Sequence, residues 1–417
     1  MTMKSLLLGA AAGLVTVGAA QAADLPMTKA EAVEYVKVCT EFGAGFFYIP
    51  GSDTCLKING EIRADAYFAE TRSRADDGVQ FNSRAQINFD ARTQTEYGLL
   101  RSFLSIDVNQ NAGAGSSLAA DKAYIQFGGL TAGYAHSFFG IYDAEYANDI
   151  YAPYYTAAYT TNLFAYTATF GGGFSATISA EDGKAARKGN LIVNDATAAP
   201  LASGSIDPYA GLTMPDFVAN LRVDQAWGKA SIFGAVHQVR GGNGATAGSV
   251  NVDAKYGYAA GGALAVNLPI AAGGHAVVEA TYASGALSYL GFTATTDEET
   301  SPGVGTKLSH GWAVAGEVGV NITPAFTVNV LGSYADVKVA DIDGLGPNFA
   351  NGTDASFKVW TASINAWYTI THGLKVGAEV GYTDKNYKAT ATEAGEFSAP
   401  IQDSKGWFGV VRVLRTF

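Results

Sequence analysis

Polar and apolar side chains alternate with a period of two along segment after segment of this chain, and no long apolar run interrupts them after residue 22. In Phe81–Thr93, Asn82, Arg84, Gln86, Asn88, Asp90 and Arg92 fall on one face, and Phe81, Ser83, Ala85, Ile87, Phe89 and Ala91 on the other. Leu56–Phe68 sets Lys57, Asn59, Glu61, Arg63 and Asp65 against Leu56, Ile58, Ile62, Ala64 and Phe68. Leu99–Asn109 sets Arg101, Ser105, Asp107 and Asn109 against Leu100, Leu104, Ile106 and Val108. Such alternation is the mark of a strand with two different environments on its faces. A membrane helix would need about 18 continuous apolar residues, so if this chain crosses a bilayer it does so by strands. A soluble sandwich would also show one wet and one apolar face, and a single strand does not tell the two apart.

The connections do. Sixteen such segments run from 54–70 to 404–417, joined by connectors that alternate short and long. Gly128-Gly129, Gly171-Gly172-Gly173, Trp227-Gly228-Lys229, Ile322-Thr323-Pro324 and Ile370–Gly373 are short. The stretches 138–161, 183–215, 240–252, 286–307, 337–356 and 387–403 are long and rich in Gly, Ala, Asp, Asn and Thr. Short periplasmic turns, long extracellular loops and an even strand count define an all-β transmembrane antiparallel barrel, closed because lipid satisfies no open edge. Boundaries read this way are good only to a few residues, so fourteen or eighteen strands also fit the pattern. Tyr67, Phe68, Tyr166, Trp227, Tyr282, Trp312, Trp360, Trp367, Tyr368 and Trp407 lie at strand ends, where aromatic girdles are expected at the headgroups.

Both ends of the chain agree with an outer-membrane location. Met1–Ala22 has Lys4, the apolar stretch Ser5–Gly18 and the small residues Ala20-Gln21-Ala22, the form of a secretory signal peptide over 1–22. The last strand closes on Phe417. Residues 23–53 do not alternate and form a periplasmic N-terminal segment, in which Thr28–Val38 suits a short helix capped by Thr28 with Glu31 three residues on. The barrel then occupies 54–417. Cys39 and Cys55 are the only cysteines, and in an oxidising periplasm a disulfide is the natural reading. Metal binding is disfavoured, because no paired His or Cys accompanies them.

The net charge of −11 gives no electrostatic reason to bind nucleic acid. Enzyme signals are weak and no cofactor is expected. His136, His237, His275, His310 and His372 are scattered, and no Gly-x-Ser-x-Gly elbow is present. An outer-membrane lipase would need a Ser and a His meeting at the barrel surface, for which only His136 near a strand end is a candidate. Asp341-Ile-Asp343-Gly344 has the start of a calcium loop but lacks its third acid and distal Glu.

Several stretches resemble one family. They are Tyr35-Val-Lys-Val-Cys39, Gly43-Ala-Gly-Phe-Phe-Tyr-Ile-Pro-Gly51, Cys55-Leu-Lys57, Lys122-Ala-Tyr-Ile-Gln-Phe127, Asn220-Leu-Arg-Val-Asp-Gln-Ala-Trp227 and Arg415-Thr-Phe417. All are similar to the alphaproteobacterial general porins of rhizobia and brucellae. The resemblance spans the chain after the signal and implies a homotrimer, seated in lipid and lipopolysaccharide, whose 16-stranded protomers pass small hydrophilic solutes and ions. It also implies that 138–161 is a constriction loop folded into the pore. Asp143, Glu145 and Asp149 of that loop are then expected to face Arg63, Arg84 and Arg101 on the first three strands, with Arg92 and Lys57 nearby, and to create a transverse field. The bland alternative is that these acids are ordinary solvated loop charges. The loop's tyrosines suit packing against the wall better than a sliding track for sugars. Arg415 departs from the pattern, since alternation from Phe417 turns it towards lipid near the membrane edge. The competing classes are a plugged surface-binding barrel and a lipase.

Overall fold

The computed structural model describes residues 37–71, 73–113, 115–151, 155–156, 159–183, 190–193, 211–240, 254–269, 273–292, 296–301, 305–340, 356–387 and 404–417. The expected signal peptide, most of the helix proposed at Thr28–Val38 and the 341–344 turn lie outside these residues.

Sixteen antiparallel strands form the wall. They are β1 (Cys55–Ala69), β2 (Val79–Thr95), β3 (Gly98–Asn111), β4 (Gly115–Phe127), β5 (Leu130–His136), β6 (Thr160–Gly171), β7 (Phe174–Glu181) and β8 (Asp216–Gln225). The second half comprises β9 (Gly228–Val239), β10 (Lys255–Leu268), β11 (Gly274–Ser284), β12 (His310–Thr323), β13 (Phe326–Lys338), β14 (Phe357–Thr371), β15 (Leu374–Tyr387) and β16 (Ser404–Thr416). Each pairs with its neighbours in sequence, and β16 returns to β1 in a register running from Glu61↔Thr416 to Ala69↔Phe408. Gly60 and Phe417 exchange backbone hydrogen bonds at 3.1 and 3.0 Å, which completes the closure. The wall thereby closes on itself, with each of its strands paired to both neighbours, as a lipid environment demands.

Exposure decides which face is which. On β1, Ile62 is 54% exposed and Asp65 only 3%. The apolar face therefore points out to lipid and the charged face in, the reverse of a soluble sandwich. Among the described residues no helix is long and apolar enough to cross a membrane, so crossing is by strands. Rings pair across the outer face at the girdle: Trp312 with Tyr334 at 5.1 Å, Trp360 with Tyr382 at 5.5 Å, and Tyr382 with Trp407 at 5.1 Å. Two aromatics expected in that girdle belong to the inward faces instead. Tyr67 shares the face of Asp65 and bonds it at 2.8 Å, while Trp367 shares the face of Asn365 and lies under the Lys375 ammonium at 4.4 Å. Arg415 is exposed among outward residues and donates to the His372 carbonyl at 2.7 Å, at the membrane edge.

The short and long connectors alternate with one exception. β3 and β4 extend far enough to leave only 112–114 between them, so the second outward connection is as short as a turn. Two long connectors meet in a separate small sheet, where Asn190–Val193 runs parallel to Thr296–Ser301 and Gly305–Leu308 antiparallel to it. Before β1, the disulfide Cys39–Cys55 ties a hairpin to the wall, and Phe47 and Tyr48 pair with Leu56 and Cys55. Phe46 of this hairpin is buried and faces Arg92 of β2 at 4.9 Å, which places the hairpin on the inner side of the barrel.

Candidate functional site: the constriction of the barrel

Between β5 and β6 the chain turns into the lumen and runs across the inner wall. It starts with Phe138-Phe139-Gly140, forms the single-turn helix α1 (Tyr142–Glu145), and returns through Tyr155 to β6. A backbone that leaves its sheet exposes N–H groups that need acceptors. Here wall carboxylates supply them in sequence. Glu181 of β7 accepts from Phe138 N at 3.2 Å, and Glu279 of β11 from Ile141 N and Tyr142 N at 2.8 and 3.0 Å. Glu317 of β12 accepts from Asn148 N at 3.0 Å, and Glu379 of β15 from Ile150 N and from Tyr151 N at 3.0 Å. Asparagines serve the carbonyls: Asn220 of β8 donates to Phe138 O at 2.8 Å, and Asn365 of β14 to Asn148 O at 2.9 Å. Charged acceptors make these stronger than neutral hydrogen bonds. The loop is thus laid along β7 to β15, and the opening is left on the side of β16 and β1 to β4.

That open side carries the cations. Arg412 of β16 is bound by both carboxylate oxygens of Asp65 at 2.6 and 2.8 Å, and Arg63 lies 3.5 Å from the same group. Arg84 lies 3.0 Å from Asp107, and Arg92 and Arg101 share Asp90 at 2.8 and 3.0 Å. Lys122 of β4 is 3.3 Å from Asp121. Arg412–Asp65 is buried, whereas the other arginines are partly exposed, so they stay oriented while retaining a field in the water beside them.

The loop acids divide. Glu145 does not meet Arg63, Arg84 or Arg101. It is gripped by Arg222 of β8, with one contact at 3.0 Å, and by Lys229 of β9. Asp224 completes this group 2.6 Å from Arg222. Burial acts to raise the Glu145 carboxyl, but hydrogen bonds from Arg222 and Lys229 overcome it and hold the group below the usual carboxylate range. Asp143 is different: burial pushes its carboxyl up, and the charge of Lys122 only partly offsets this. Asp149 lies half-buried in the same loop, between Asn148 and Ile150, which are fixed to the wall. At the far end of the loop, Tyr151 packs edge-on to Tyr67 of β1 at 4.9 Å and to Phe408 of β16 at 5.6 Å. That tyrosine thus packs against the two wall strands that follow β15.

Sequence reasoning missed the anchors Glu181, Glu279, Glu317 and Glu379 and the cations Arg412, Arg222, Lys229 and Lys122. A signal for two of them exists: Glu279 and Glu317 are each the one acid in a strand made largely of small and apolar residues. Among the described residues no cluster of ligating side chains suits a metal ion.

Residues 24–410 match the model of a porin subfamily. Porin Omp2b of Brucella canis is 36% identical over 254 residues, which span 57% of this chain and 66% of the relative. Porin Omp2b of Brucella melitensis is 36% identical over 258 residues with the same coverage. The outer membrane channel DcaP of Acinetobacter baumannii shares the fold with a TM-score of 0.68 at 16% identity, covering 89% of this chain and 99% of that one. An anion-selective porin from Comamonas acidovorans shares it less closely, with a TM-score of 0.51 at 9% identity over 87% and 100% of the two chains. A chain that closes sixteen strands around a charged lumen and matches this family model along nearly its whole length belongs to the porin subfamily, as a multi-pass protein of the outer membrane.

Proposed function

We propose that this porin is a passive, water-filled channel for small hydrophilic solutes and ions, with its narrowest point between the loop 137–159 and the wall of β16 and β1 to β4. The observation that carries this reading is the division of the lumen. One half is lined by the loop and its wall anchors, and the other keeps a row of oriented ion pairs from the buried Arg412–Asp65 to the partly exposed Lys122–Asp121. A sealed structural barrel has no need of such a row, and membership of a porin family speaks against a lipase.

Asp143 and Asp149 on the loop, with Arg63, Arg84 and Arg101 opposite, are the proposed selectivity charges, and Glu145 contributes through its cluster with Arg222 and Lys229. Assembly as a homotrimer in lipid and lipopolysaccharide belongs to the same proposal. Sixteen strands enclose enough width for one aqueous path per protomer. Reconstitution in planar bilayers tests it: stepwise ohmic currents lost in three equal closures are expected. Silent insertions, or calcium-dependent release of fatty acid, would replace the channel by a plugged barrel or a lipase.

A further inference from the structure

Residues 285–309 join β11 to β12 on the side of the long connectors, where composition suggests an exposed polar loop. Yet Ala286, Leu287, Ser288, Tyr289 and Leu290 are all 0% exposed. A 3-10 turn at Leu287–Leu290, closed by Gly291 in the left-handed region (φ +88°), folds this stretch inward. Its Tyr289 ring meets Phe139 of the constriction loop edge-on at 4.6 Å, and Phe139 meets Phe233 of β9 at the same distance. Just beyond the turn, Phe292 stacks on Tyr155 of the loop at 5.1 Å and packs against Phe357 of β14 at 5.1 Å. Loop, turn and wall thus share an apolar core inside the barrel. Water fills the rest of the lumen, so burial here has a hydrophobic driving force that lipid-facing contacts lack.

The turn is also tied by a polar bond. The Tyr289 hydroxyl donates to Asp216 of β8 at 2.8 Å, and the other oxygen of Asp216 lies 2.8 Å from His237 Nδ1 on β9. Tyr289 therefore touches the loop with its ring and β8 through its hydroxyl, and Asp216 links that contact to His237 of β9. The wall glutamates hold the loop by its backbone, whereas this contact holds Phe139 by its side chain.

We propose that residues 286–292 are a wedge that clamps the constriction loop to the wall, with Tyr289 as the positioning residue through which β8 and β9 keep the pore open. This rests on the channel reading above. The wedge resists displacement of the loop into the lumen, so loosening it appears as gating rather than as a changed open state.

Single-channel recording of full-length Tyr289→Phe tests it, because this variant keeps the ring and loses only the hydroxyl. Closures are expected to become roughly tenfold more frequent, the size of one hydrogen bond, with open-state conductance unchanged. Asp216→Ala, which removes the acceptor together with its contact to His237, should act in the same direction, and adding Tyr289→Phe to it should do little more. Phe139→Leu, which loosens the ring contact from the loop side, should also increase closures. The temperature at which the barrel unfolds in detergent should stay near the parent value for Tyr289→Phe. Parent-like gating in both Tyr289→Phe and Phe139→Leu would overturn the wedge, as would a loss of barrel stability in step with the gating change. A parent protein without ohmic steps would instead remove the channel reading itself.

Discussion

A single oxygen of Glu279 accepts the backbone N–H groups of both Ile141 and Tyr142, and Gly140 just before them approaches so closely that a Cβ would lie 2.7 Å from the other oxygen. Gly140 also has φ +85°, a region where other residues are strained. Gly140→Ala should therefore push the loop off the wall and into the lumen, at about 1–2 kcal/mol for the backbone alone. Lower single-channel conductance is the expected outcome. Glu279→Ala should leave two buried N–H groups without their acceptor, at about 1–3 kcal/mol each, and raise open-channel noise. Unchanged conductance and noise in both variants would show that the loop is held elsewhere.

The disulfide gives a second expectation. Cys39 and Cys55 close a loop of 16 residues' separation, which restrains the unfolded chain by about 3 kcal/mol in the chain-entropy account. The hairpin it holds sets Phe46 and Phe42 against Arg92 at 4.9 and 5.9 Å. The double variant Cys39→Ser, Cys55→Ser should keep the barrel, whose strands are paired independently, and expose 37–54 to protease. Mass spectrometry of limited digests checks this, and two reactive thiols in the natively extracted parent would contradict the pairing.

The barrel was legible because lipid outside and water inside impose a period of two that survives any detail of packing. Arg63, Arg84 and Arg101 could be placed on the lumen face for that reason alone. The partners of Glu145 could not. Arg222 and Lys229 stand 77 and 84 residues away, and the pairing follows from how the loop is laid across β7 to β15 by wall glutamates. Alternation also fails to say where a strand stops, so it does not show that β3 and β4 run on until only 112–114 separates them. It gives no warning that 286–292 turns inward, because a short apolar cluster between glycines has no period to read.

Asp143 and Glu145 should separate on titration. Burial raises the Asp143 carboxyl, so it takes up its proton at a higher pH than an ordinary aspartate, while Arg222 and Lys229 keep Glu145 charged to a lower pH than an ordinary glutamate. Each proton bound removes a negative charge from the pore. As pH is lowered Asp143 should therefore lose its charge before Glu145, and Asp143→Asn should remove a step in the fall of cation preference that Glu145→Gln leaves in place. Reversal potentials measured across a pH series decide the matter, and survival of that step in Asp143→Asn would assign it to another group.

Selectivity is set by what remains uncompensated. Arg63, Arg84, Arg92, Arg101 and Arg412 are each close to Asp65, Asp90 or Asp107, so the wall's excess of positive charge is small. Glu145 is balanced within its own cluster by Arg222 and Lys229, with Asp224 beside them. The acidic chain as a whole, at −11, tips the entrances towards cations. A weak cation preference is expected, fading at high salt as the screening length shrinks to about 3 Å at 1 M. Glu145→Gln should shift it towards anions, because Arg222 and Lys229 are then left with Asp224 alone, a local excess of one positive charge. Neutralising Asp143, Glu145 and Asp149 together should reverse the preference. Reversal potentials in a salt gradient read this directly, and strong anion preference in the unmutated pore would refute both the sign and the role given to these acids.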